Sequence, residues 1–438
     1  MFVAPRIIVI DDEPLHLRAL SEALYRYGTS CLPIHFTGDL AGVRKCPGLR
    51  VIIADLHLNE GGAAGGYERH FSTIGGLIEE TFAPTGPYVL ILWTRYADQA
   101  EGLKAFLESR LQNVSKPLAV MPIDKTQHLD LTRGVVKDPA ALVSALDSII
   151  RGQPQLAALL SWEERVLDAA SDTAAAILGL TSTASDAEGR AKELSRLLAR
   201  LAVEAVGEGH VEEDRFSAVN EALLPILADR IAFLRPSGAH AAIWKEAFDA
   251  DTAKAALSLD EAALLNRMLH VDESEHIMAS TRGSVSPLPL EARGDRFQAT
   301  FGLDEIKAAS EEFACKGFDP GSGEFRWMLV QTQAACDFAQ RQTGTVPYLL
   351  ALEMPCKNIS KDKAPAAIWR SPPLHLRKAS RHLHVNSRFQ HQLPPGQAGA
   401  LKASYRLREQ LLSELLHLSH SQGVRPGSIS FREKKAKS

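Results

Sequence analysis

At 438 residues, with 45% hydrophobic and 23% charged side chains, the chain is too long for one ordinary core and too apolar for a disordered tail or a small disulfide scaffold, so two or three domains are expected. The formal charge of −4 is unevenly spread: residues 341–438 hold 17 Lys/Arg against 5 Asp/Glu, a balance of +12 that leaves −16 for the remainder, so the two ends suit different partners. No apolar run approaches bilayer length, Asp11, Asp12 and Glu13 interrupt any amino-terminal signal region, and five cysteines without CxxC spacing argue against a disulfide framework; a cytoplasmic protein with no membrane association is expected.

Residues 1–152 alternate short β-branched runs with helical stretches, the pattern of a doubly wound parallel sheet. Strands are expected at Ile7–Ile10, Val51–Ala54, Tyr88–Trp93 and Leu118–Met121, and helices at Pro14–Tyr25, Gln99–Leu111 and Ala140–Ile150. Residues 153–280 turn Ala-, Leu- and Glu-rich with apolar positions three and four apart, and Ser185 with Glu188 matches a capping box, so a helical bundle or spacer is expected. Over residues 281–430, Pro and Gly punctuate candidate strands at Arg326–Gln331, Tyr348–Met354 and Leu383–Phe389, followed by an amphipathic helix at Leu401–His420; this reads as a mixed α+β domain, basic after 341. The last residues, 431–438, read as a disordered basic tail. The expected fold class is therefore α/β: a five-stranded parallel sheet, then helices, then an α+β domain.

The chemistry concentrates at the ends of the first strands. Asp11 and Asp12 follow the first strand and Asp55 follows another, so in a doubly wound sheet all three project into the crevice at the carboxyl edge. Gathered carboxylates repel one another, and a hard divalent cation, Mg²⁺ in particular, relieves this with a few carboxylates, waters and phosphate oxygens. Thr94 and Lys125 end the fourth and fifth strands and add a hydroxyl and a cation to the same rim. The implied chemistry is phosphoryl transfer.

The strings "IIVIDDEP", "VIIADLHL", "VLILWT" and "VMPIDK" resemble the receiver domain of bacterial two-component response regulators over about residues 4–152. The resemblance implies Asp55 as phosphoacceptor, Asp11, Asp12 and Asp55 as metal ligands, Thr94 as switch hydroxyl, Lys125 as partner of the phosphoryl oxygens, and a histidine kinase as donor. The 43 residues from Asp12 to Asp55 leave room for a helix, a strand and a second helix. Departures from the pattern are specific. Arg95 replaces the small residue after the switch hydroxyl and is placed to contact the phosphoryl group; Thr126 replaces the proline after the lysine; Pro122 replaces the usual aromatic three residues before it. Residues 60–87, with "EGGAAGGYERH", read as a glycine-rich mobile flap beside the acceptor.

No familiar output motif follows. In "QTQAACDFAQRQ" the polar residues Gln331, Gln333, Cys336, Asp337 and Gln340 interrupt an apolar stretch; Cys336, Asp337 and Gln340 form a candidate second site, against the plainer reading of a capped helix start with a buried cysteine. His375, His382 and His384 are the compositional candidates for a base to that thiol, and Cys336, Cys356, His382 and His384 have ligand types, though not the spacing, of a zinc set. "ACDFAQ" and "YRLREQLL" resemble strings in carboxy-terminal domains of receiver proteins from bacterial phosphorelay and antiviral systems. Arg370, Arg377, Lys378, Arg381 and Arg388, interleaved with Trp369 and Phe389, would suit phosphates, although nucleic acid is not the favoured partner.

The reading that best unites these features is a phosphorelay acceptor, modified on Asp55, that changes the interactions of its downstream domains or of a separate effector protein, as a monomer or a homodimer. Its alternatives are a receiver-controlled hydrolase or nuclease in the carboxy-terminal domain and a phosphate buffer with no output of its own.

Overall fold

The computed structural model describes residues 5–38, 45–58, 66–181, 186–233, 238–339, 344–360 and 365–423. The tail expected at 431–438 lies outside these residues. Two compact units are present: one joins Met1–Asp172 with Asp229–Lys254, the other Thr173–Ala228 with Ala255–Ser438.

The first unit begins β1 (Ile7–Asp11), α1 (Pro14–Arg26), β2 (Leu32–His35), β3 (Val51–Ala54), α2 (Glu68–Gly76), β4 (Val89–Thr94), α3 (Ala100–Arg110), β5 (Ala119–Asp124) and a single turn, α4 (Lys125–His128). A two-residue ladder, β6 (Leu129–Asp130) with β7 (Val135–Val136), then leads into α5 (Pro139–Arg151). The five long strands make one parallel sheet in the order β2-β1-β3-β4-β5.

Strand side chains alternate between faces, and both faces are dry. Ile8, Ile10, Ile52, Leu90 and Leu92 enter one core, while Val9, Val51, Ile53, Ile91 and Trp93 enter the other. That two-sided burial is why the inner strands β1, β3 and β4 read as continuous apolar runs. Pro14 opens α1 in its first turn, and Asp138 caps α5 by accepting from the amides of Ala140 and Ala141 at 2.9 and 3.1 Å.

The segment expected to be a flap is mostly helix. Residues 59–65 lie outside the described residues, but α2 runs on through a wider turn at Leu77–Phe82, and Phe71, Ile74, Ile78 and Phe82 are buried in the first core. Their spacing of three and four is a helical stripe that the neighbouring glycines obscure. The helix expected between β2 and β3 falls largely on residues 39–44, outside the described residues.

Helices α6 (Pro154–Gly179), α7 (Ala187–Val206), α8 (Arg215–Phe233) and α9 (Gly238–Ala247) follow. Glu163 on α6 pairs with Arg6 and, at 2.6 Å, with Arg50, tying this helix to the amino-terminal edge of the parallel sheet. The expected cap Ser185 lies outside the described residues; the residue that caps α7 is Asp186, which accepts from Gly189 N at 2.7 Å.

The second unit contains α10 (Leu259–His270), closed at its start by a capping box of Ser258 and Glu261. After it come β8 (Val271–Asp272), β9 (Ser284–Pro287), α11 (Asp295–Phe301), α12 (Glu305–Lys307), β10 (Arg326–Gln331), α13 (Ala335–Ala339), β11 (Val346–Pro355), β12 (Ile368–Arg370) and β13 (Leu374–Leu376). The chain ends with β14 (Ala379–Leu393), α14 (Pro395–Ala400), β15 (Tyr405–Leu407) and α15 (Glu409–Gly423).

Its sheet is antiparallel in the order β12-β14-β11-β10-β9-β15-β8, with β13 added against β14. Met328, Val330, Leu349 and Val385 face one core; Trp327, Leu329, Tyr348 and Leu350 face the other. The helix expected over Leu401–His420 begins only at Glu409. Tyr405–Leu407 is instead a strand held between β9 and β8, where Tyr405 and Leu407 are buried, so ladder pairing overrides the helical periodicity.

Among the described residues, no helix is long and apolar enough to cross a membrane.

Candidate functional site

In a sheet of this order the chain winds in opposite senses on either side of β1, which opens a crevice beyond the carboxyl ends of β1 and β3. The sequence fills that crevice. Asp11 closes β1, Asp12 follows it, Asp55 follows β3, Thr94 closes β4, and Lys125 opens the turn after β5. One oxygen from each of Asp11, Asp12 and Asp55 lies within 4.8 Å of the others, and this is the only such group of three or more acidic, His or Cys ligands among the described residues. Lys125 Nζ sits 2.8 Å from Asp11 Oδ2 and 2.8 Å from Asp55 Oδ2. With Asp12, Asp55, Thr94 and Lys125 in its wall, a cavity of about 250 Å³ opens at this point.

Burial sets the electrostatics. Asp11 is fully buried, and the loss of solvent lifts its carboxyl to about 6, with the Asp55 charge adding to the rise and Lys125 opposing it. Asp12 is raised for the same first reason, with Asp55 again the charge behind it. Burial pulls Lys125 downward, but the carboxylates of Asp55 and Asp11 outweigh it and hold the ammonium above its usual range.

The ammonium hydrogen-bonds Asp55 and ion-pairs with Asp11 Oδ2. Asp11 Oδ1 accepts from Glu13 N at 3.0 Å. Three carboxylates gathered around one lysine, with one oxygen of each within 4.8 Å of the others, form a donor set that fits a hard divalent cation.

The departures from the receiver pattern have structural roles. Thr126 donates its amide and its hydroxyl to Asp124 Oδ1 at 2.8 and 2.6 Å, capping α4 with bonds a proline could not make. Pro122 lies within β5, paired with Leu92. Arg95 is exposed and lies over Tyr96, 4.9 Å from the ring centroid, and it lines the cavity.

The missing aromatic has a neighbour in kind that sequence reasoning did not find. Tyr96, two residues after Thr94, lies 4.4 Å from the ring of His57, two residues after Asp55, and His57 in turn lies 4.3 Å from His70. Tyr67 completes the cluster at 5.9 Å from His57. The equal offset of Tyr96 from Thr94 and of His57 from Asp55 was the available signal.

Of the second candidate site, Cys336 and Asp337 are described. Cys336 is exposed and its thiol meets Asp337 at 3.4 Å; Gln340 lies outside the described residues. His382 and His384 are tied by Nδ1 to the carbonyls of Ser371 and Phe313, each at 2.7 Å. Together with Cys336 and Cys356 they form no group of three metal ligands. Gln331, the first polar residue of that string, is buried and bonded to Ser280 O and to the side chain of Gln333.

The basic run is partly neutralised from within. Arg381 is buried and faces Glu353 and Glu324, each at 3.6 Å; Arg377 faces Glu353 at 3.5 Å and Arg388 faces Glu312 at 3.6 Å. Arg381 serves the internal structure of the sheet, while Arg377 and Arg388 are exposed.

A hydroxyl–imidazole–carboxylate series also appears in the first unit. Ser161 Oγ lies 3.2 Å from His240 Nδ1, and His240 Nε2 lies 4.0 Å from Glu164. Glu164 is exposed and Ser161 stands inside α6, which reads as a polar link between α6 and α9.

No family model, curated protein or solved structure matches the chain. The five-stranded parallel sheet and the acidic cluster Asp11, Asp12, Asp55 are compatible with a receiver domain.

Proposed function

We propose that the protein is a phosphorelay acceptor in which Asp55 takes a phosphoryl group from the phosphohistidine of a histidine kinase. The observation that supports this reading is the position of Lys125, whose ammonium lies 2.8 Å from both Asp11 and Asp55 in a cavity that Thr94 and Asp12 also line.

In the reaction an Asp55 carboxylate oxygen attacks phosphorus, the P–N bond of the donor breaks, and the imidazole leaves as it takes up a proton; an acyl phosphate remains. Lys125 neutralises one phosphoryl oxygen, and the Thr94 hydroxyl donates to another. Asp11, Asp12 and Asp55 are the residues that would hold a Mg²⁺ ion, which would supply positive charge to offset the phosphoryl oxygens. Arg95 shields the product from water.

Incubation of the full chain with phosphoramidate, a small P–N donor, tests the reading. A Mg²⁺-dependent gain of one phosphate that hydroxylamine removes is expected. No gain at any Mg²⁺ concentration would reject the proposal.

A further inference from the structure

We propose that the second unit carries a binding site for a small amphipathic carboxylate, in the cavity bounded by the end of β9, β10, α11 and α14. The cavity holds about 610 Å³, within the usual size range of small-molecule sites. Its floor is aliphatic, formed by Leu288, Leu329, Leu393 and Leu401, and Leu288 and Leu329 are buried members of the main core. A fully solvated polar ligand gains little from such a floor, whereas an alkyl or aryl body does.

The rim is charged and unsatisfied. Arg296 on α11 and Lys402 after α14 are exposed, and neither side chain has an ion-pair or hydrogen-bond partner among the described residues. The backbone of Lys402 is pinned by a bridge to Met278, which fixes the root of that cation. Glu291 is the single acid on the rim. Two cations against one carboxylate leave a balance of +1, which a monoanion neutralises and a dianion exceeds.

His391, half-buried beside Phe301 at 6.0 Å, lines the wall and is held neutral by burial, so it offers a donor without a further charge. An apolar floor under a singly cationic rim selects a carboxylic acid with a hydrocarbon body over a phosphate ester or an uncharged alcohol.

Calorimetric titration of the full chain with hexanoate, octanoate and 1-octanol tests this. Octanoate is expected to bind saturably at one site, about fifteenfold tighter than hexanoate, because each of its two extra buried CH₂ groups is worth roughly fourfold in affinity. The double variant Arg296→Ala/Lys402→Ala should weaken octanoate at least tenfold and leave 1-octanol unchanged; both residues are exposed, so the fold should survive. Ala400→Phe, which places a ring from the α14 wall into the space, should abolish binding of both ligands. The proposal is overturned by the absence of saturable octanoate binding. It is equally overturned by octanoate affinity that ignores the double variant, or by unchanged binding to Ala400→Phe.

Discussion

Asp11→Asn should stabilise the metal-free protein at neutral pH while destroying its response to cations. Asp11 is fully buried, and its carboxyl is lifted from 3.8 to about 6 even with the Lys125 ammonium beside it. Holding that group ionised at pH 7 therefore costs the folded state about 3 kcal/mol. Asparagine keeps the shape and removes the charge.

The sign follows from proton binding. Between about 3.8 and 6 the folded protein binds the Asp11 proton more tightly than the unfolded chain does. Wild type is therefore stabilised below that window and loses the benefit as pH rises through it. In EDTA, urea unfolding should show the variant more stable by about 3 kcal/mol at pH 7, with the difference shrinking toward zero near pH 4. Saturating Mg²⁺ should raise wild-type stability and leave the variant unchanged. A variant no more stable than wild type at pH 7, with a difference that does not vary with pH, would refute the reasoning.

Asp12→Ala should remove the Mg²⁺-dependent change in fluorescence of Trp93, the buried residue next to Thr94; an unaltered titration would place the cation elsewhere. Arg95→Ala should shorten the lifetime of the phosphorylated protein several-fold, since the guanidinium over Tyr96 lines the acceptor cavity; equal lifetimes after donor removal would show that it does not shield the product. Glu353→Ala should destabilise the second unit by about 3 kcal/mol in urea melts, because it strips the buried Arg381 of its buried counter-charge; a neutral effect would mean that Glu324 alone suffices.

The inner strands β1, β3 and β4 were legible because both their faces are buried, which turns each into an apolar run with a charged or hydroxyl residue at or just past its end, whereas the edge strand β2, with Pro33 and His35 exposed, was not placed from sequence. Asp11, Asp55, Thr94 and Lys125 were found by that rule alone. Strand ends Arg326 and Gln331 of β10 were legible for a similar reason, as a run covered on both sides.

What escaped the sequence depended on partners far along the chain. Phe71, Ile74, Ile78 and Phe82 form a helical stripe, but Gly75 and Gly76 beside them suggest a loop until the core they fill is known. Tyr405–Leu407 has the periodicity of the helix that follows, and only the free edges of β9 and β8 make it a strand. Arg381 looked like part of a surface patch because the acids that bury it, Glu324 and Glu353, lie on other segments.

The central claim is that Asp55 carries the phosphoryl group. Reduction of the phosphoramidate-treated protein with borohydride converts an aspartyl phosphate to homoserine, and peptide mass spectrometry then locates it. The account predicts homoserine at position 55, dependent on Mg²⁺ and missing from Asp55→Asn. Homoserine at position 11 or 12, or label that persists in Asp55→Asn, would contradict it.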